Sequence, residues 1–251
     1  ASINIPNTVQ SIGSSAFSGC SQLEAIKIPN SVQSIGSSAF SGCSSLQSVI
    51  LGSGVNSVNS VFESCANLVT VELHNNPTVS NFKTIFPTYS NIQQITLGEG
   101  VTEIKKSETD GAFDGCAKLA TVTISEGVTE IGDRAFAECT ALASINIPNT
   151  VQSIGTNAFC RTKLTSISFP ASLESIGKSA FLEINSLTTV NFVNGLKSIG
   201  ESAFHTTGIT SINLPDSLNL LGPSAFSNCQ SLTNVTIPDC TGLNIQDSAF
   251  Q

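Results

Sequence analysis

The decapeptide SIGSSAFSGC stands at residues 11–20 and again, letter for letter, at 34–43. A longer stretch, ASINIPNTVQSIG, fills 1–13 and recurs at 143–155. Self-similarity of this kind argues against an ordinary globule, because each copy of one apolar pattern asks for the same neighbours. It predicts a solenoid, in which a unit too small to bury its own apolar face buries it against the next. The units align on a recurring Phe, usually preceded by Ala. The anchors are Phe17, Phe40, Phe62, Phe86, Phe113, Phe136, Phe159, Phe181, Phe204, Phe226 and Phe250. Successive anchors lie 22 to 27 residues apart, most often 23.

Each unit carries two apolar stretches. The first reads L-x-x-I-x-I-P, as in LEAIKIP (23–29), LASINIP (142–148) and LTNVTIP (232–238). Its closing I-x-I alternates with period two, the signature of a short strand with one face buried. Pro29, Pro148, Pro170, Pro215 and Pro238 end these strands, since Pro cannot continue a ladder. The second stretch, V-x-S-I-G, predicts another short extended segment. Its Gly slot holds Gly13, Gly36, Gly132, Gly155, Gly177, Gly200 and Gly222, where a positive φ is expected. The x-x-A-F-x-x-C that follows is too short for an independent helix and reads as a tight helical turn with Ala and Phe inward.

The pattern LxxIxIPxSVxSIGxxAFxGC, shown almost whole by CSQLEAIKIPNSVQSIGSSAFSGC at 20–43, resembles the BspA-like, or Treponema pallidum-type, leucine-rich repeat. The resemblance covers nearly all 251 residues. It implies a leucine-rich-repeat solenoid of the α/β-horseshoe class, mostly β, with parallel stacked coils and short helical turns. The chain then reads as one domain over 1–251, of about eleven repeats, cut from a longer chain and with open, uncapped ends. Two departures stand out. Residues 74–91, HNNPTVSNFKTIFPTYSN, lose the Gly and Cys slots, and KKSETDG at 105–111 reads as an insertion. Relatives of this family are mostly secreted or surface-exposed, and some act as adhesins. The resemblance therefore implies an extracellular or cell-surface location and a host or extracellular-matrix protein as partner.

Composition narrows the function classes. Charged residues make up only 11%, against roughly 25% in ordinary domains. The net charge of −8 leaves little to neutralise phosphates, so nucleic acid is not an expected partner. No apolar run approaches the roughly 18 residues of a membrane-spanning helix. No cofactor or metal site is expected. The eight cysteines include no C-x-x-C pair of the kind zinc prefers. Six of them, Cys20, Cys43, Cys65, Cys116, Cys139 and Cys229, follow the anchor Phe by three residues, and read as a column of free, buried thiols. The histidines, His74 and His205, sit in no nucleophile motif, and no enzymatic activity is expected.

Nine of the eighteen acids, Glu99, Glu103, Glu108, Asp110, Asp114, Glu126, Glu130, Asp133 and Glu138, crowd into forty residues. Stacked acids of this kind attract calcium, yet Lys105, Lys106, Lys118 and Arg134 are interleaved and can relieve the repulsion instead.

The strand face is the expected binding surface. The middle residue of I-x-I points away from the core and reads Asn4, Lys27, Ile50 and Glu72 down the first coils. From there it becomes small and uncharged: Thr96, Thr123, Asn146, Ser168, Asn191, Asn213 and Thr236. These are the candidate site residues for contact with a protein. Two other readings stand beside it. The same residues can hydrogen-bond along their own ladder, leaving a structural spacer that presents another domain. A carbohydrate-binding surface is the third, with Phe82, Phe86 and Tyr89 of the irregular unit as the candidate aromatic platform.

Overall fold

A computed structural model describes residues 2–58, 60–105, 111–239 and 242–251. The chain winds into stacked coils with a strand on each of two sides and a ladder of turns on the third. The first strand column holds the I-x-I segments. Ser2–Ile3, Ala25–Ile28, Ser48–Leu51, Thr70–Leu73, Gln94–Leu97 and Thr121–Ile124 form one six-stranded parallel sheet. Further along, Ser166–Ser168 pairs with Thr189–Asn191, and Ser211–Asn213 pairs with Asn234–Thr236. The second column holds the S-I pairs: three strands from Ser11–Ile12 to Ser57–Val58, then seven from Glu103–Ile104 to Asn244–Ile245. The register superposes like on like, Ile26 on Val49 on Val71 on Ile95 on Val122. Every one of these side chains is buried, so one slipped residue would turn the apolar set outward.

The segment at 142–148 departs from expectation. It forms no strand, although 2–3 of its letter-for-letter copy does. A notch of about 310 Å³ opens there, between Thr121–Val122 and Ser144–Asn146.

The third side is built on the Ala-Phe segments. Here the expected helical turn gives way to a different backbone. Outside the irregular unit and Gly111, residues two before and two after the anchor take positive φ, for example Asn157 at 55° and Arg161 at 57°. This turns alternate N–H groups along the solenoid axis. Asn157, Phe159 and Arg161 donate to the carbonyls of Lys178, Ala180 and Leu182 on the next coil, at 2.9, 2.8 and 3.0 Å. Between them, tight i+3 bonds such as Cys160 N–H to Asn157 O close each coil on itself. The left-handed conformation costs about 1–2 kcal/mol at a non-Gly residue. An inter-coil bond gained at the same position offsets it.

The Gly slot is also corrected. None of Gly13, Gly36, Gly132, Gly155, Gly177, Gly200 and Gly222 has positive φ. The cause is close approach: a Cβ on Gly177 would lie 2.6 Å from the Gly155 carbonyl carbon, and one on Gly200 would lie 2.7 Å from that of Gly177. At Gly36, Gly155, Gly177, Gly200 and Gly222 the missing side chain lets the strand end of one coil rest on the backbone of the coil before it, whereas Gly13, in the first coil, meets nothing within 4 Å.

Inside, the anchor rings form one continuous ladder. Phe17, Phe40, Phe62 and Phe86 stack with centroids 5.1–5.2 Å apart. Phe113 through Phe250 continue the series, with spacings of 5.0–5.7 Å. The irregular unit joins the two runs. Two short helices, α1 (Asn76–Ser80) and α2 (Phe82–Ile85), replace its second strand. Asn75 caps α1 through Thr78 N–H and donates to the carbonyls of Ser53 and Val55 on the coil before. Phe82 then fills the gap, tilted on Phe86 at 5.1 Å and edge-on to Phe113 at 4.8 Å.

Candidate binding face

The first strand column exposes its middle residues as its alternation dictates. Thr123, Asn146, Ser168, Asn191, Asn213 and Thr236 are exposed, and Thr96 is half-buried. Thr96 and Thr123 are partners in register, as are Ser168 with Asn191 and Asn213 with Thr236. A flanking column of Gln94, Thr121, Ser144, Ser166, Thr189, Ser211 and Asn234 is exposed as well. Neither column carries a charge from Gln94 to Thr236. Asn191 Nδ2 donates to Ser168 Oγ at 3.0 Å, so that pair is satisfied within the ladder. The side chains of Thr123, Asn146, Asn213 and Thr236 make no hydrogen bond among the described residues.

The face is interrupted twice. One break is the notch beside Ser144–Asn146, and the other is a polar recess of about 160 Å³ between Val190–Phe192 and Ser211–Asn213. Local letters do not signal either break.

The aromatic platform is corrected by the packing. Phe82 and Phe86 have no exposed surface, because both complete the ring ladder. Tyr89 is half-buried, with Lys83 Nζ 5.2 Å from its ring centroid.

Four acids of the run, Glu103, Asp114, Glu130 and Glu138, enter ion pairs, and Asp133 accepts the Thr156 N–H. Glu103 and Glu130 are neighbours in register, and Lys105 Nζ bridges them at 2.7 and 3.4 Å. Its hydrogen bond to Glu103, then the charge of Glu130, raises the ammonium above its ordinary pKa. Arg134 donates Nε and Nη2 to Asp114 Oδ2, a carboxylate only 10% exposed. Arg161 spans Glu138 and Glu183 at 2.8 and 2.6 Å. Among the described residues, no three His, Cys, Asp or Glu side chains gather closely enough to hold a metal ion. Lys106, Glu108 and Asp110, with most of the 105–111 insertion, lie outside the described residues, as does Cys240.

The seven described cysteines are free, and all but Cys20 are buried. Cys43, Cys65, Cys139 and Cys229 each donate Sγ to the anchor Phe carbonyl one coil back, at 3.1–3.3 Å. Burial pushes the thiols of Cys65 and Cys116 up to about 12, and that of Cys139 well above its ordinary value. Thr207 holds the same slot with an alcohol, its Oγ1 donating to Phe204 O. Thr162 and Ile184 fill the slot in other coils, both buried, so it requires neither a thiol nor a donor. His74 Nε2 pairs with Glu72 Oε1, and the His205 side chain makes no hydrogen bond or ion pair among the described residues. Among those residues, no helix is long and apolar enough to cross a membrane.

The coil period, its Ala-Phe turn and its Gly and Cys slots define one repeat type. The family model for the BspA type leucine rich repeat region matches in six copies, over residues 1–109 and 106–233. The chain belongs to this family. No curated protein matches it significantly. Among solved structures it is similar to a leucine-rich repeat protein from Bacteroides ovatus, at 25% identity. That match covers 92% of this chain and 77% of the other, with a TM-score of 0.37. It is similar also to the Treponema pallidum leucine-rich repeat protein, at 22% identity over 86% of this chain and 76% of that one, with a TM-score of 0.47. A leucine rich cell surface protein from Faecalibacterium prausnitzii is 24% identical over 95% of this chain and 86% of its own, with a TM-score of 0.36.

Proposed function

We propose that this chain is a protein-binding or adhesion module of a secreted or cell-surface protein, and that it acts without chemistry of its own. Its strand face contacts a host or extracellular-matrix protein. One observation carries the reading. From Thr96 to Thr236 the exposed column is uncharged and hydrogen-bonding, and several of its side chains make no hydrogen bond among the described residues. Short hydroxyl and amide side chains lose little rotamer entropy on contact, so a long row of them suits a broad interface of many weak bonds. Membership of a repeat family built around extended surfaces supports the same reading.

A second reading is a spacer that holds another domain away from a surface. It is favoured by the bond from Asn191 to Ser168 and by the Thr188 and Thr233 hydroxyls, which donate to Thr165 O and Thr210 O one coil back. These groups are spent within the ladder. Surface plasmon resonance against a panel of immobilised matrix proteins and glycans separates the two. Saturable binding to a protein supports the module. Silence from a folded, monomeric sample supports the spacer.

A further inference from the structure

The slot that follows each first-column strand reads, in register, Pro29, Gly52, His74 and Gly98. The register holds through it: Gly52 N–H donates to Ile28 O at 3.0 Å and Gly98 N–H to Leu73 O at 2.8 Å. No side chain fits at Gly52, where a Cβ would lie 2.6 Å from Asn30 Oδ1. Nor does His74 fill the space. Its imidazole leans the other way, over Gly98, where a Cβ would lie 2.3 Å from Nδ1. Glu72 Oε1 holds it there, 2.6 Å from Nε2.

The result is a cleft of about 420 Å³ between Pro29 and His74, floored by Gly52 and flanked by Ile50. Pockets of about 300–1,000 Å³ are the size that small ligands use. The two wall positions are two strand spacings apart, about 9.6 Å. Van der Waals contact on both sides of a flat ring needs only about 7–8 Å. The slot therefore suits a thicker, puckered ring.

The polar groups are arranged unevenly. Lys27 is exposed at one end and makes no hydrogen bond or ion pair among the described residues. Asn30 Oδ1 accepts Ser53 N–H at 3.0 Å, which fixes the amide and leaves its Nδ2 as a donor. Asn7 adds a second amide. At the far end Glu72 has one oxygen committed to His74 and the other left to accept. A fitting ligand places a carboxylate at Lys27 and Asn30, lays C–H groups on Ile50 and Pro29, and donates hydroxyls toward Glu72.

We infer that this cleft binds an acidic sugar unit, with its carboxylate on Lys27 and its ring between Pro29 and His74. The site lies on the first coils, apart from the uncharged column, and does not depend on the protein-binding reading. The test is a 1H–15N NMR titration of the 251-residue chain with sodium glucuronate, with glucose, acetate and diglycine in parallel. Saturable shifts at 27–31, 50–52 and 72–74, with a Kd on the order of 1 mM, are expected from glucuronate alone. Lys27→Gln removes the charge from an exposed, unpartnered side chain, so the fold persists. It is expected to weaken glucuronate about tenfold. Absence of glucuronate shifts, equal shifts from glucose, acetate or diglycine, or an unchanged Kd in Lys27→Gln would overturn the assignment.

Discussion

The Sγ of Cys65 donates to the carbonyl oxygen of Phe40, 3.3 Å away on the preceding coil. The same bond recurs from Cys43 to Phe17 and from Cys139 to Phe113. A thiol in this position ties one coil to the next and is shielded from solvent. Cys65 and Cys116 are pushed up to about 12 by burial, from an ordinary value of 9.0. In the folded protein they stay protonated where the unfolded chain has already lost its protons. Stability from this source is complete below pH 9 and falls as pH rises toward 12, by at most about 1.4 kcal/mol per unit for each thiol. Urea midpoints measured from pH 7 to 11 are expected to decline above pH 9. In the same range, a disulfide-exchange reagent at pH 8 is expected to label Cys20 quickly and the six buried thiols only on unfolding.

The glycine slot offers an internal control. A Cβ on Gly177 meets the Gly155 backbone at 2.6 Å, while one on Gly13 meets nothing within 4 Å. Gly177→Ala is expected to destabilise by about 1–3 kcal/mol through overpacking against rigid backbone. Gly13→Ala is expected to be near neutral. Equal losses in the two variants would point to a conformational demand on the slot and against close approach.

Phe82 carries the ring ladder across the irregular unit. Removing a fully buried ring that touches both Phe86 and Phe113 leaves a cavity where two runs of coils meet. Phe82→Ala is expected to cost about 3–5 kcal/mol in urea unfolding. A loss below about 1 kcal/mol would mean that the unit collapses around the gap.

Two arginines that look alike in the sequence are expected to behave differently. Arg134 faces Asp114, a largely buried carboxylate, whereas Arg161 lies between two partly exposed glutamates. Arg134→Ala strands the Asp114 charge and is expected to cost about 1–3 kcal/mol. Arg161→Ala is expected to leave the urea midpoint nearly unchanged, since exposed pairs contribute little.

The period, the anchor rings and the strand alternation were all legible in the letters, because a ladder demands like residues in like slots. Phe40 on Phe62 and Ile35 on Val58 follow directly from alignment of the copies. The reason for a slot was harder to read than the slot itself. Glycine at 36, 155 and 177 signalled a backbone constraint, but close approach by the neighbouring coil is invisible within one unit. The positive φ sits instead at residues such as Ser38, Asn157 and Arg161, where inter-coil hydrogen bonds demand it against local preference. The copies at 1–13 and 143–155 make the limit plain. Ser2–Ile3 pairs with Ala25–Ile26, while 144–145 is in no strand. Pairing is decided by the neighbours and not by the segment. Phe82 read as part of an exposed platform for the same reason, since it lies outside the anchor series, while Phe86 aligned as an anchor and is buried as one.

The central claim is that the uncharged strand face makes the contact. The direct measurement is the affinity of the chain for a matrix protein captured in the screen, compared with the triple variant Asn146→Lys, Ser168→Lys, Asn191→Lys. All three side chains are exposed, so circular dichroism and the urea midpoint are expected to stay close to those of the parent. A loss of tenfold or more in Kd, about 1.4 kcal/mol, is the predicted result. An unchanged Kd in a folded variant would contradict the claim and move the contact off this face.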